Sequence, residues 1–359
     1  PGRSEPLQSR RVTAPSALAG RLAARVAGSH PLAGTYVVDH LAAEMVDATA
    51  RASVMVAEAT RLETPAAAEV NVVDRAEWVD RNLAAFSHML EPAERRIAER
   101  LEAAGGALGS ATAALARQIV SAETGLLLGF LSRRVLGQYE LVLPTGDRGD
   151  SVAYVGVNLI DLERRNQFRP SEFRLWVALH EMTHRAQFVG VEWMASYFLS
   201  LVEKLVSQAV PEPGRLARIA KELLDARADD RPLVDETGLL GLFASPQQRE
   251  TLDQVQALMS LLEGHGHVVM DRIGAGLFRG HARMSRLLKA RRSDPRTQLL
   301  FRLTGLEMKM RQYEMGEAFI LEVERRAGWE ALDVAWTSPE ALPTLEEIAD
   351  PPRWLSRVA

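Results

Sequence analysis

The chain has 359 residues, 47% of them hydrophobic, a formal charge of −4 at pH 7 and no cysteine. That much apolar material can bury one large core or two ordinary ones, which excludes a disordered chain, and the slightly acidic balance gives no case for nucleic acid or an anionic membrane as partner. Without cysteine there is neither a disulfide framework nor a thiolate metal site, so any metal must be held by His, Asp or Glu.

No basic-then-apolar leader opens the chain, and the longest uncharged apolar run, around Gly125 to Leu131, is too short to span a bilayer. The expectation is a cytoplasmic protein that uses no membrane.

Residues 1–30 read as an N-terminal arm, with Arg3, Arg10, Arg11, Arg21 and Arg25 among Pro, Ser and Ala. Residues 31–136 read as a helical bundle. Its helices are Thr35 to Leu62, with Val37, Leu41 and Met45 on one side; Asn71 to Leu90, with Trp78, Leu83 and Phe86; Pro92 to Leu101; and, after Gly105-Gly106, Ala111 to Leu136.

The pattern changes at Gly137. Tyr139 to Leu143 and Val152 to Ile160 are β-rich and flank a turn-forming stretch, Pro144 to Asp150, so residues 137–160 predict a β-hairpin. The tripeptide Arg148-Gly149-Asp150 is explained by the turn. A strand over 152–160, just before the next helix, is placed to pair with an extended peptide or amide substrate through its backbone.

That next helix is predicted over 171–189, with Pro170 before it, Ser171 as N-cap and Phe173, Trp176, Val177 and Leu179 at helical spacing. It carries His180-Glu181-Met182-Thr183-His184. A four-residue step puts both imidazoles on one face, one turn apart, where they can share an ion. Two neutral imidazoles suit Zn2+ and leave room for a third ligand and a water, and the carboxylate of Glu181 can take a proton from that water. Histidines and a glutamate on an apolar helix are costly without a common partner.

Catalytic zinc takes three protein ligands. A helix over 246–273 holds Leu262-Glu263-Gly264-His265-Gly266-His267, a second set of ionisable groups on an apolar helix, and Glu263 is the predicted third ligand. His265 or His267 are alternatives; with Glu263 on the metal, His267 one turn on orients it or donates to the oxyanion. The basic run Arg279 to Arg296 reads as a solvated face. Gln298 to Ala327 is a last helix, where Tyr313 is a further oxyanion candidate, and residues 298–359 end in an irregular tail.

The fold class is therefore mainly α with a small β-hairpin beside the HExxH helix, and residues 137–359 form one catalytic region. Val155-Gly156-Val157-Asn158, His180 to Phe188, Leu262-Glu263-Gly264-His265 and Lys309-Met310-Arg311-Gln312-Tyr313 make the chain resemble a bacterial, actinobacterial-type family of zinc-dependent, metalloprotease-like hydrolases. One branch of that family is named for association with deazaflavin coenzyme biosynthesis. The resemblance implies a zincin-like architecture and a metallopeptidase of unknown substrate. In better-known zincins with a glutamate ligand, that residue follows the HExxH helix much more closely than Glu263 does. The competing reading is a metal-stabilised scaffold without turnover; an accessory role in cofactor biosynthesis is suggested only by the branch name.

Overall fold

The computed structural model describes residues 14–64, 67–85, 107–140, 150–208, 246–292 and 308–359. The chain divides into two compact units, one of residues Pro1–Ala33 and Val73–Val135, the other of Gly34–Val72 and Leu136–Ala359.

In the first unit, α1 (Ala14–Ala27) packs along α4 (Ala107–Ser132). Small residues set this contact: a Cβ on Gly125 would stand 2.4 Å from the Ala19 carbonyl oxygen, and one on Gly129 would stand 2.6 Å from that of Ala23. Between them in sequence lies a helix over 75–85, here α3, which buries Trp78 and Val79.

The second unit is built on α6 (Pro170–Val189), and α2 (Tyr36–Thr60) lies against it. The sequence reading placed α2 with the bundle; in the structure it is part of the unit that holds the HExxH helix. Pro170 sits at the first helical position, where its missing N–H costs nothing, and the N-cap is Arg169 without a side-chain cap bond, so Ser171 is inside the helix and does not cap it. Nearly every side chain from Phe173 to Gln187 is buried, as expected of a helix enclosed by others. Arg174 ties α6 to its neighbours, donating to Glu163 at 2.9 Å and to Glu44.

A three-stranded sheet flanks α6, with strands β1 (Glu69–Val73), β2 (Gly137–Glu140) and β3 (Ser151–Val155) in the order β1-β3-β2. β2 and β3 are antiparallel, with Tyr139 opposite Val152 and Gly137 opposite Tyr154. Two sequence expectations are corrected here. Residues Asn71 to Val73, read as the start of a helix, are the end of β1. Residues 156–160, read as strand, open α5 (Gly156–Arg165). The run from Ser151 to Ile160 is buried throughout, so it has no period by which to tell strand from helix, and the switch falls where the chain meets its neighbours. A Cβ on Gly156 would be 2.8 Å from Val72 Cγ1 and 3.2 Å from Val38 Cγ1.

After α7 (Met194–Gln208) comes α8 (Pro246–Leu277), 32 residues long, which packs on α6, α7 and α10 (Met308–Ala327); α9 (His281–Arg292) lies between α8 and α10 in sequence. α8 and α10 cross at Gly264 and Gly316. A Cβ on Gly316 would lie 1.9 Å from the Ser260 carbonyl oxygen, and one on Gly264 would lie 2.2 Å from the Gly316 carbonyl carbon, so only paired glycines allow this approach. The tail is regular where an irregular one was expected. Two 3-10 segments, Trp329–Trp336 and Pro339–Ala341, lead to α11 (Leu345–Ala349) and α12 (Pro351–Val358). Thr344 and Glu347 form a reciprocal capping box at α11. Trp354 is buried edge-to-face against Phe319.

The fold is mainly helical with one small sheet beside the HExxH helix, as the sequence predicted. Among the described residues no helix is long and apolar enough to cross a membrane.

Candidate metal centre

The four-residue spacing on α6 sets the rings of His180 and His184 edge to face, their Nε2 atoms 3.2 Å apart. α8 crosses α6 so that Glu263 Oε2 comes 3.9 Å from His180 Nε2 and 3.7 Å from His184 Nε2. Gly266 faces both rings, and a Cβ there would be in ordinary van der Waals contact with His184 Cε1 at 3.6 Å.

Donors about 2.1 Å from a tetrahedral ion stand about 3.4 Å from one another. The three separations here bracket that value, and the set of two imidazoles and a carboxylate is one that zinc accepts. His180, His184 and Glu263 are thus able to hold an ion between them. Among the described residues they are the one group of this kind.

Glu181 points from the same helix towards the sheet. Its Oε2 accepts the Tyr139 N–H of β2 at 3.0 Å, and its carboxylate lies directly over Gly137, where a Cβ would be 2.7 Å from Oε1. Burial pushes the Glu181 carboxyl up to about 7; His184 and the Tyr139 N–H pull it down and Glu263 pushes it up. A carboxyl near neutrality can both take and return a proton.

Without an ion, His184 and Glu263 form a partly buried pair. Burial opposes the imidazolium, yet the Glu263 carboxylate carries His184 up to about 9. Burial would raise Glu263, but His184 foremost, with His180 and His267, holds it well below the usual carboxylate range. The pair's stabilisation is complete between the unfolded carboxylate and histidine values of about 4.3 and about 6.5; it is lost as pH rises towards about 9, and again as pH falls below the carboxylate value. An arriving cation must displace that proton. Zinc loading near pH 7 is therefore expected to release about one proton per chain and to tighten about tenfold per pH unit up to about 9. Calorimetry in buffers of different ionisation enthalpy reads both; affinity independent of pH would contradict the pairing.

Of the other sequence candidates, His267 is buried and stacks on His180, ring centroids 5.5 Å apart. His265 is not at the cluster. It is buried between Trp329, 5.6 Å away and parallel, and Trp336, and its Nδ1 stands 3.0 Å from Gln187 Nε2. Burial, then His184 and Arg272, lower its pKa to about 3. Tyr313 falls on α10, and its side chain lies outside the described residues. The loop 141–149 of the predicted hairpin is also outside them.

The strand expected to receive substrate, 152–160, does not offer an edge: β3 ends at Val155, is buried along its length and is flanked by β1 and β2. β2 is the edge strand nearest the cluster, and its Tyr139 N–H already meets Glu181.

Sequence reasoning assigned no role to Arg185, Gln187, Gly137 or Tyr139. Arg185, almost wholly buried, grips Asp150 through Nε at 2.6 Å and a second contact, and reaches Thr64, fixing the start of β3 against α6. Gln187 Oε1 is 2.9 Å from His184 Nδ1, three residues back on the same helix face. That i to i+3 spacing was a usable signal for Gln187; nothing local marked the others.

Residues 16–355 match the model of a family described as zincin-like metallopeptidase. A crystal structure from Chloroflexus aurantiacus, titled a "putative hydrolase with a novel fold", is similar over 96% of both chains, at 27% identity and a TM-score of 0.67. No curated protein matches the chain.

Proposed function

Because the chain belongs to the zincin-like metallopeptidase family, we propose that it is a zinc-dependent hydrolase cutting a peptide or other amide bond with Glu181 as general base. The observation that carries this is the convergence of three ligand atoms within 4.8 Å from α6 and α8, with a carboxyl poised near neutrality beside them. The relative from Chloroflexus aurantiacus, called a "putative hydrolase", supports the same class.

His180, His184 and Glu263 would hold the ion. When bound, Zn2+ supplies a Lewis acid that makes water more acidic and polarises a carbonyl. The other steps belong to the chain. Glu181, one oxygen held by the Tyr139 N–H, takes a proton from the attacking water and returns it to the leaving nitrogen. His267, packed on the His180 ring, steadies that ligand and is the proposed donor to the developing oxyanion. The outer edge of β2, in place of β3, is the proposed seat of an extended substrate.

Among the described residues three groups, not four, could hold the ion, which favours catalysis over the scaffold reading, since a purely structural zinc is closed by four. The test is incubation of the full chain with a mixed peptide digest and mass spectrometry of the products. New termini that vanish on chelation and return with added zinc are expected. An unchanged digest across a broad set of peptides and acylated amines, with zinc bound, would favour the scaffold.

A further inference from the structure

Gln187 joins both ligand-bearing helices. Its Nε2 donates to the Leu262 carbonyl at 2.9 Å and to His265 Nδ1 at 3.0 Å, which uses both amide hydrogens. Its Oε1 faces His184 Nδ1 at 2.9 Å. Turning the amide over would set its oxygen against the Leu262 carbonyl, two acceptors face to face, in a buried site. The Leu262 carbonyl therefore fixes which end of the amide meets His184. An oxygen there requires a hydrogen on Nδ1, and this leaves Nε2, the atom turned to His180 and Glu263, as the ligand.

The acceptor on the far side is fixed as well. His265 is clamped between Trp329 and Trp336 of the first 3-10 segment, and Arg272 lies over the Trp329 ring at 3.9 Å. Trp336 in turn gives its carbonyl to the Trp193 indole at 3.1 Å. Leu262 directly precedes Glu263, so the bond from Gln187 also sets the register of the third ligand against the first two.

We propose that Gln187 is a positioning residue for the metal centre: it selects the Nδ1–H form of His184 and, through Leu262 and His265, locks α8 to α6 so that Glu263 meets both imidazoles. This rests on the reading of those three side chains as metal ligands. Outer partners of this kind carry about 10–100-fold in metal affinity.

The test uses the full chain with Zn2+ alone. Competition with a chromophoric chelator compares the wild type with Gln187→Leu, and 15N-histidine NMR of the zinc-loaded wild type reads the protonated nitrogen of His184. The expected results are a 10–100-fold weaker Kd in the variant and a proton on Nδ1 in the wild type. Unchanged affinity in Gln187→Leu, or a His184 that binds through Nδ1, overturns the proposal while leaving the metal site standing. A wild type that binds no zinc removes the site itself. Should Gln187→Leu fail to fold, the NMR of the wild type decides alone.

Discussion

Glu181→Gln is expected to keep its zinc and to lower turnover about 10²- to 10⁴-fold, the span that a positioned general base contributes. Glutamine has nearly the shape of glutamate and still offers an oxygen to the Tyr139 N–H, so the packing over Gly137 survives. What disappears is the capacity to accept a proton. A second consequence follows from burial. Because the folded Glu181 carboxyl is raised to about 7, ionising it costs stability as pH rises from the unfolded value of about 4.3 through about 7. The metal-free Gln variant is therefore expected to melt above the metal-free wild type at pH 8 and to match it more closely at pH 4. Hydrolysis at the wild-type rate in Glu181→Gln would remove the proposed role.

His184→Ala is expected to lose stoichiometric zinc, by more than the roughly 100-fold that an outer partner can account for. It removes the atom 3.2 Å from His180 Nε2 and 3.7 Å from Glu263 Oε2, and with it the cation that holds Glu263 ionised. A partly buried carboxylate left so is costly, and the variant should also be less stable without metal than the wild type between about pH 4.3 and pH 7. His281→Ala is the control. That histidine sits on α9 with its Nε2 3.1 Å from Asp271, away from the cluster, and its loss should leave zinc binding unchanged. Metal analysis after gel filtration compares the three proteins.

What could be read from the chain was what depends on spacing. His180 and His184 are four apart, and a helix makes that a shared face whatever surrounds it. Glu263 was visible as a charge on an apolar helix, even though it lies far along the chain from His184; the long α8 brings it back. What could not be read was what depends on contact between distant segments. The carbonyl that orients Gln187 belongs to Leu262, 75 residues away. Gly137 matters only because a carboxylate 44 positions on lies against its Cα, and Tyr139 only because its N–H ends up beneath Glu181. The same limit explains the sheet. Asn71 to Val73 are strand because β3 is there to pair with, and the residue that opens α5 is glycine because Val72 and Val38 leave no room for a Cβ. Burial on all sides erased the alternation that would have separated β3 from α5.

The measurement that bears most directly on the whole account is anomalous X-ray scattering at the zinc edge from crystals of the full chain grown with one equivalent of Zn2+. One peak between His180 Nε2, His184 Nε2 and the Glu263 carboxylate, about 2 Å from each, is the predicted result. A peak elsewhere, or those three side chains bare while zinc sits on other groups, would contradict it.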